Sequence, residues 1–183
     1  MKSIVFTFGR FQPPTKGHER LVSKVVETAK STGGNHMVYL SHTHKAPTDP
    51  LEWSFKRRVC ESAFKGVNIS KDESIRNPFI ALESFIGKYD RAIFVVGSDQ
   101  LPEFTQRMLP YGEQWGIDLE IISAGNRIDE ADDVSGMSGT KMRQYARDNN
   151  VEKFYSGLPE SLNENLKSHV LRNTKKGLKR PNK

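Results

Sequence analysis

Short apolar runs alternate with stretches of helical period along most of this chain. Ile4-Val5-Phe6-Thr7-Phe8 is an apolar run closed by Gly9, the pattern of a buried strand. Leu21, Val22, Val25, Val26 and Ala29 then recur at helical spacing, and Gly33-Gly34 ends that helix. Met37-Val38-Tyr39-Leu40 predicts a second strand, and Pro47 and Pro50 mark a loop. A helix is predicted over residues 53–64, with Phe55, Val59 and Ala63 four apart, and another over 78–86. Ala92-Ile93-Phe94-Val95-Val96 is a buried strand stopped by Gly97. A helix over 101–109 is expected to end before Pro110, because proline cannot donate to the helix ladder. Leu119-Glu120-Ile121-Ile122 is the last strand, followed by a helix from about Ser138 to Asp148. Beyond Gly157-Leu158-Pro159 a polar helix or tail is expected.

This alternation predicts an α/β fold: a single Rossmann-like domain with a parallel sheet and helices on both faces. Ligands of such sheets bind beyond the C-terminal ends of the strands. The segments that follow the predicted strands at Gly9, Ser41 and Gly97 are therefore expected to open on one edge.

The first of them is Gly9-Arg10-Phe11-Gln12-Pro13-Pro14-Thr15-Lys16-Gly17-His18. Glycine permits close approach of a ligand to the backbone, and the prolines stiffen the loop. Gly17 and His18 stand at the start of a helix, whose N–H groups and dipole suit a phosphate. Thr15 and His18, three apart, can converge on one anion. An ordinary strand–turn–helix connection with a packed histidine would share parts of this pattern. Gly136-Met137-Ser138-Gly139-Thr140-Lys141-Met142-Arg143 is the second. Ser138 is a natural N-cap, and the hydroxyls with Lys141 and Arg143 can hold phosphate oxygens and a leaving pyrophosphate. A plain capped amphipathic helix remains an alternative. In Val96-Gly97-Ser98-Asp99-Gln100-Leu101, Asp99 can accept from a ribose hydroxyl or an acceptor group, or cap the next helix.

Charge refines this picture. The 20 residues from Glu164 onward carry seven bases and one acid; removing them from the 28 basic and 22 acidic residues of the whole chain leaves 21 of each. The body is balanced and the end is basic. That end reads either as a contact for nucleic acid or another acidic partner, or as a solvated terminus. No run of about 18 apolar residues suggests a membrane span. The first residues are too short an apolar run for a signal peptide, and the single cysteine, Cys60, excludes an intrachain disulfide. A buried Cys60 and a cytoplasmic location are expected.

Residues 9–18 resemble the G-x-F-x-P-x-(H/T)-x-G-H signature of the nucleotidyltransferase superfamily, and residues 138–143 its S-x-T-x-x-R signature. Within that superfamily the chain is similar to archaeal-type nicotinamide mononucleotide adenylyltransferases and to small nucleotidyltransferase-like proteins of tailed bacteriophages. Gly9-Arg10-Phe11-Gln12-Pro13, Ser41-His42-Thr43, Asp49-Pro50-Leu51 and Lys56-Arg57 carry the archaeal-type likeness. Ser123-Ala124-Gly125-Asn126-Arg127 and Phe154-Tyr155-Ser156-Gly157-Leu158-Pro159 carry the phage-type one. The likeness implies a nucleotidyltransferase domain over residues 1–160, followed by a basic helix or tail over 161–183. It implies transfer of a nucleoside monophosphate, AMP from ATP foremost, to a phosphate-bearing acceptor such as nicotinamide mononucleotide, with release of pyrophosphate. Thr15, His18 and Arg143 would be catalytic. Gly9, Arg10, Phe11, Lys16, Gly97, Ser98, Asp99, Met137, Ser138, Thr140 and Lys141 would bind the nucleotide. Mg²⁺ would enter through the nucleotide phosphates, with no protein metal site. Three departures bear on the acceptor: Thr15 replaces the usual first histidine, Asp49 an asparagine, and Lys56 an acid. Phe11, Trp53 and Phe104 are aromatics able to stack on a pyridine ring or to fill the core. Cytidylyl transfer, and a phage structural or accessory protein retaining the fold, are the other readings. Contact of the basic end with nucleic acid or a virion protein, a homo-oligomeric assembly, and a host-cell cytoplasmic location for a phage-encoded chain complete the expectations.

Overall fold

The computed structural model describes residues 1–125 and 138–179. It contains β1 (Ser3–Gly9), α1 (Lys16–Thr32), β2 (Asn35–Leu40), α2 (Trp53–Ala63), α3 (Pro78–Ser84) and β3 (Arg91–Val96). A 3-10 turn (Ser98–Gln100), α4 (Leu101–Trp115), β4 (Asp118–Ser123), α5 (Gly139–Arg147), α6 (Val151–Gly157) and α7 (Glu164–Leu178) follow. The chain forms two compact units: Met1–Gly9, Arg20–Tyr39 and Val67–Arg127 make the first, and Arg10–Glu19, Leu40–Gly66 and Ile128–Lys183 the second.

The first unit holds a four-stranded sheet of order β2-β1-β3-β4. β1 and β3 run parallel with Ser3 opposite Arg91, and β3 and β4 run parallel with Arg91 opposite Asp118. The two-residue period of the strands sorts their side chains to opposite faces. Ile4, Phe6, Ala92, Phe94 and Val96 pack with Ala81 and Leu82 of α3 and Met108 of α4. Val5, Ile93 and Val95 pack on the other face with Val25 and Ala29 of α1. Phe6 and Phe94 stack with ring centroids 4.7 Å apart. Each large side chain enclosed this way contributes about 1.5–3 kcal/mol by removal from water. The expected Rossmann-like architecture, with helices on both faces of a parallel sheet, is what these two packed layers make. Strand order proceeds one way from β1 to β2 and the other way from β3 to β4, so the switch point lies between β1 and β3. Gly9 and Gly97 stand at the carboxyl ends of those two strands.

One helix differs from its expected length. α4 runs through Pro110 to Trp115 rather than ending at residue 109. Proline forfeits one ladder bond, but the helix beyond it is held by packing: a Cβ on Gly112 would lie 2.7 Å from Leu119 Cβ, so α4 seats directly on β4 there. Gly116, left-handed at φ 69°, is the true stop, its N–H bonding Gly112 and Glu113 carbonyls.

The second unit is built on helices. α2 buries Lys56, Val59, Cys60 and Ala63, an apolar stripe that includes one lysine. Ser138 caps α5, its Oγ accepting from Lys141 N at 3.2 Å, as its place in the sequence suggests. The chain after Gly157 is an amphipathic helix: Asn163 caps α7, and Val170, Leu171, Thr174 and Gly177 are buried. Gly177 lies so near Pro50 that a Cβ would overlap the Pro50 carbonyl. Among the described residues no helix is long and apolar enough to cross a membrane.

Candidate functional site

Apart from Gly9, the residues of both superfamily signatures lie in the second unit. Arg10, Phe11, Thr15, Lys16 and His18 belong to it, as do Ser138, Thr140, Lys141 and Arg143. Arg143 Nη1 donates to the Gln12 carbonyl at 2.9 Å, a buried bond between residues 131 apart in sequence. Nη2 reaches Thr140 Oγ1 at 3.3 Å. Gly139 makes this contact possible, since a Cβ there would stand 2.8 Å from Arg143 Nη1 and 3.2 Å from Gln12 O. The N-terminus of α5 is thereby fastened to the loop that leads into α1.

The loop itself is held from several sides. Phe11 is fully buried and left-handed at φ 49°, a conformation that costs a non-glycine residue about 1–3 kcal/mol. Its ring stacks on the His18 imidazole at 4.3 Å. Gln12 exchanges hydrogen bonds with Leu51, Oε1 accepting from its N–H at 2.8 Å and Nε2 donating to its carbonyl at 3.0 Å. Arg10 Nε meets Asp49 Oδ1 at 3.1 Å, and Nη2 donates to the Thr48 carbonyl. Lys56, without exposed surface, donates from Nζ to the Arg10 carbonyl at 2.7 Å and to Ser41 O and Oγ at 2.8 and 3.0 Å.

His18 is oriented by its neighbours. Its Nδ1 accepts from the Thr15 backbone N–H at 3.0 Å and lies 3.1 Å from Thr15 Oγ1. An accepting Nδ1 leaves the proton of a neutral ring on Nε2, which is then the donor nitrogen. Thr15 and His18, expected to converge on one anion, bond to each other. Lys16 pairs with Glu160 at 3.4 Å.

The electrostatics favour an anion. Burial lowers the Arg143 pKa, and Arg10 and Arg147 lower it further while Asp49 opposes them. Burial likewise brings the Lys56 pKa down to about 7, with Cys60 and Asp49 acting upward and Arg10 downward. Arg10, Arg143 and Arg147 thus bring positive charge to this neighbourhood, and among the described residues Asp49 opposes it.

Other expected residues lie elsewhere. Gly9, Gly97, Ser98 and Asp99 belong to the first unit. Gly97 precedes the 3-10 turn, and a Cβ on it would lie 2.8 Å from Asp99 Oδ1. Asp99 sits inside that turn, and α4 has no side-chain cap, so the capping role open to Asp99 is not used. Met137, with Asn126, Arg127 and Gly136, lies outside the described residues. Sequence reasoning left Gln12, Ser41 and Lys56 out of the site. Lys56 carried a signal, since Lys56, Cys60 and Ala63 follow the buried stripe of α2, where a lone lysine needs partners.

Comparison with known proteins identifies the family. The cytidylyltransferase-like family model matches residues 6–145, and the chain belongs to that family and so to the nucleotidyltransferase superfamily. This places it among nucleotidyltransferase-type enzymes. A candidate nicotinate-nucleotide adenylyltransferase from Vibrio parahaemolyticus has a similar structure, with a TM-score of 0.64 at 14% identity and 98% of each chain covered. Thermotoga maritima TmcAL, solved with alpha-thio ATP, is similar at a TM-score of 0.56 and 12% identity over 94% of this chain and 55% of that one. No curated protein sequence matches the chain.

Proposed function

We propose that this chain transfers AMP from ATP to a phosphate-bearing acceptor, nicotinamide mononucleotide foremost, and releases pyrophosphate. The observation that carries the proposal is the bond from Arg143 to the Gln12 carbonyl, because it holds the two phosphate-binding signatures against each other in one unit. An acceptor phosphate has a second pKa near ~6 and is ionised at neutral pH, so it needs no strong base to attack the α-phosphorus. The protein's task is alignment and charge stabilisation. His18 Nε2 donates to the α-phosphate in the tautomer that Thr15 selects. The first turn of α5, with Thr140, Lys141 and the Ser138 hydroxyl, receives the β- and γ-phosphates, and Arg143 and Arg10 supply positive field. Among the described residues this set is made of donors and cations, with Asp49 engaged by Arg10. Mg²⁺ would enter with the nucleotide and would supply neutralisation of phosphate charge, while Arg10, Lys141 and Arg143 hold the phosphates.

The acceptor reading draws on Trp53. Phe11 is enclosed, and Phe104 packs edge-on against Phe94 in the core, whereas Trp53 is half-buried and stacked on His42 at 4.8 Å. A pyridine ring stacking on Trp53 is the arrangement proposed. The family match supports cytidylyl transfer as a second reading, and competition of CTP with ATP for binding decides between them. Arg172, Lys176 and Lys179 line one exposed ridge of α7, which supports a nucleic-acid contact. Reversing those three charges, which leaves the buried face of α7 intact, abolishes salt-sensitive DNA binding if that contact exists. The transfer itself is tested by pyrophosphate release with ATP, Mg²⁺ and nicotinamide mononucleotide; release no faster than with ATP alone rejects this acceptor.

A further inference from the structure

We propose that Lys56 is a positioning residue, whose buried amine ties the Arg10 carbonyl to Ser41 and so fixes the Phe11 turn against which His18 is stacked. The inference rests on the role given to His18 above and adds the group that sets its orientation.

Burying Lys56 is costly. A long cation without exposed surface gives up hydration, which only a full set of acceptors offsets. Lys56 has three: Arg10 O, Ser41 O and Ser41 Oγ, all between 2.7 and 3.0 Å from Nζ. An ammonium has three N–H donors, one for each, and a neutral amine still has two. A residue that only filled space on the α2 stripe would be apolar, like Val59 and Cys60 beside it. The amine instead points at the peptide immediately before Phe11. That residue sits in a left-handed conformation it would not choose, with a buried ring and a φ of 49°. Such a turn persists only when its surroundings over-determine it. Lys56 holds its entrance at Arg10 O, while Leu51 and Arg143 hold its exit through Gln12. The ring so placed covers the imidazole at 4.3 Å, and Thr15 supplies the donor to Nδ1. Removing Lys56 frees the entrance, lets Phe11 relax, and releases the imidazole from its single orientation. The charged groups that face Lys56 are Asp49 and Arg10 from the loops, and the titratable Cys60 of its own helix, whose thiol is kept neutral by burial, lies beside it. Asp49 and Lys56 are also the two departures from the archaeal-type pattern in this stretch, and both act on Arg10, one on its guanidinium and one on its carbonyl.

The test uses the full chain labelled with 15N-histidine and reads the His18 ring by long-range 1H–15N correlation at neutral pH. Wild type is expected to show one tautomer, with a proton on Nε2 and an accepting Nδ1. Lys56→Met, which keeps length and removes every donor, is expected to average the two tautomers and to weaken Mg-ATP binding about tenfold, the scale lost when a supporting partner is removed. Lys56→Gln keeps an amide donor and is expected to fall between them. An unchanged His18 pattern in Lys56→Met overturns the proposal. If that variant does not fold, an unchanged pattern in Lys56→Gln overturns it equally. A wild type that binds no Mg-ATP by calorimetry rejects the nucleotide function instead, and the tautomer pattern then still decides the role of Lys56.

Discussion

Gly139→Ala separates local preference from the demands of the site. Gly139 is the first residue of α5. Helix propensity alone favours alanine over glycine by up to about 1 kcal/mol in a helix interior, and by less at the first position. The added methyl, however, would stand 2.8 Å from Arg143 Nη1 and 3.2 Å from the Gln12 carbonyl. The guanidinium is the flexible partner and would move, losing its 2.9 Å bond to Gln12 O. A hydrogen bond to a charged group is worth about 1.5–3 kcal/mol, so the net effect is a destabilisation of about 1–2 kcal/mol. Equilibrium unfolding in urea measures it, and calorimetry with Mg-ATP should show weaker binding. A double-mutant cycle sharpens the test. In an Arg143→Ala background the methyl meets no guanidinium and only the 3.2 Å contact with the Gln12 carbonyl remains, so the same Gly139→Ala change should cost clearly less than in wild type. Stabilisation by Gly139→Ala in the wild-type background, with nucleotide affinity unchanged, would refute the reasoning.

Three further outcomes are expected. His18→Ala should lower turnover by about two orders of magnitude or more, the scale of losing one transition-state donor, while circular dichroism stays that of wild type; unchanged turnover removes His18 from the mechanism. Arg143→Ala leaves the buried Gln12 carbonyl without its partner, so it should cost about 1–3 kcal/mol in urea unfolding and weaken Mg-ATP binding more than acceptor binding; an equal loss for both ligands would show a folding effect alone. Lys56 binds its proton less tightly folded, at about 7, than at its ordinary 10.5, so the unfolded chain holds more protons between those values. Stability should therefore rise with pH from about 7 towards 10.5, and between pH 7 and 9 by at most about 3 kcal/mol more in wild type than in Lys56→Met; parallel pH profiles in the two proteins would contradict this.

The sheet was legible because buried parallel strands leave continuous apolar runs: residues 4–8, 92–96 and 119–122 each mark a strand that the structure extends by a residue or two. Pro110 misled because proline's local penalty is visible in sequence, whereas the seating of Gly112 on Leu119 that outweighs it is a long-range contact. Ser138 and Thr15 were legible as a cap and as a neighbour of His18, since both relations span three residues. Lys56 was not, because its partners are backbone carbonyls at Arg10 and Ser41, and a carbonyl has no letter in the sequence. Phe11 read in sequence as an aromatic that could stack on a ligand or fill the core; its burial and its stacking on His18 depend on a left-handed backbone that no local pattern announces.

The central claim is nucleotidyl transfer, and mass analysis of the products tests it most directly. The protein is incubated with ATP, Mg²⁺ and nicotinamide mononucleotide, and in parallel with CTP and with other phosphate monoesters. The account predicts pyrophosphate together with a product heavier than one acceptor by a nucleoside monophosphate, formed by wild type and lost in His18→Ala. Pyrophosphate or product absent with every triphosphate and acceptor, from a protein that is folded, would contradict it.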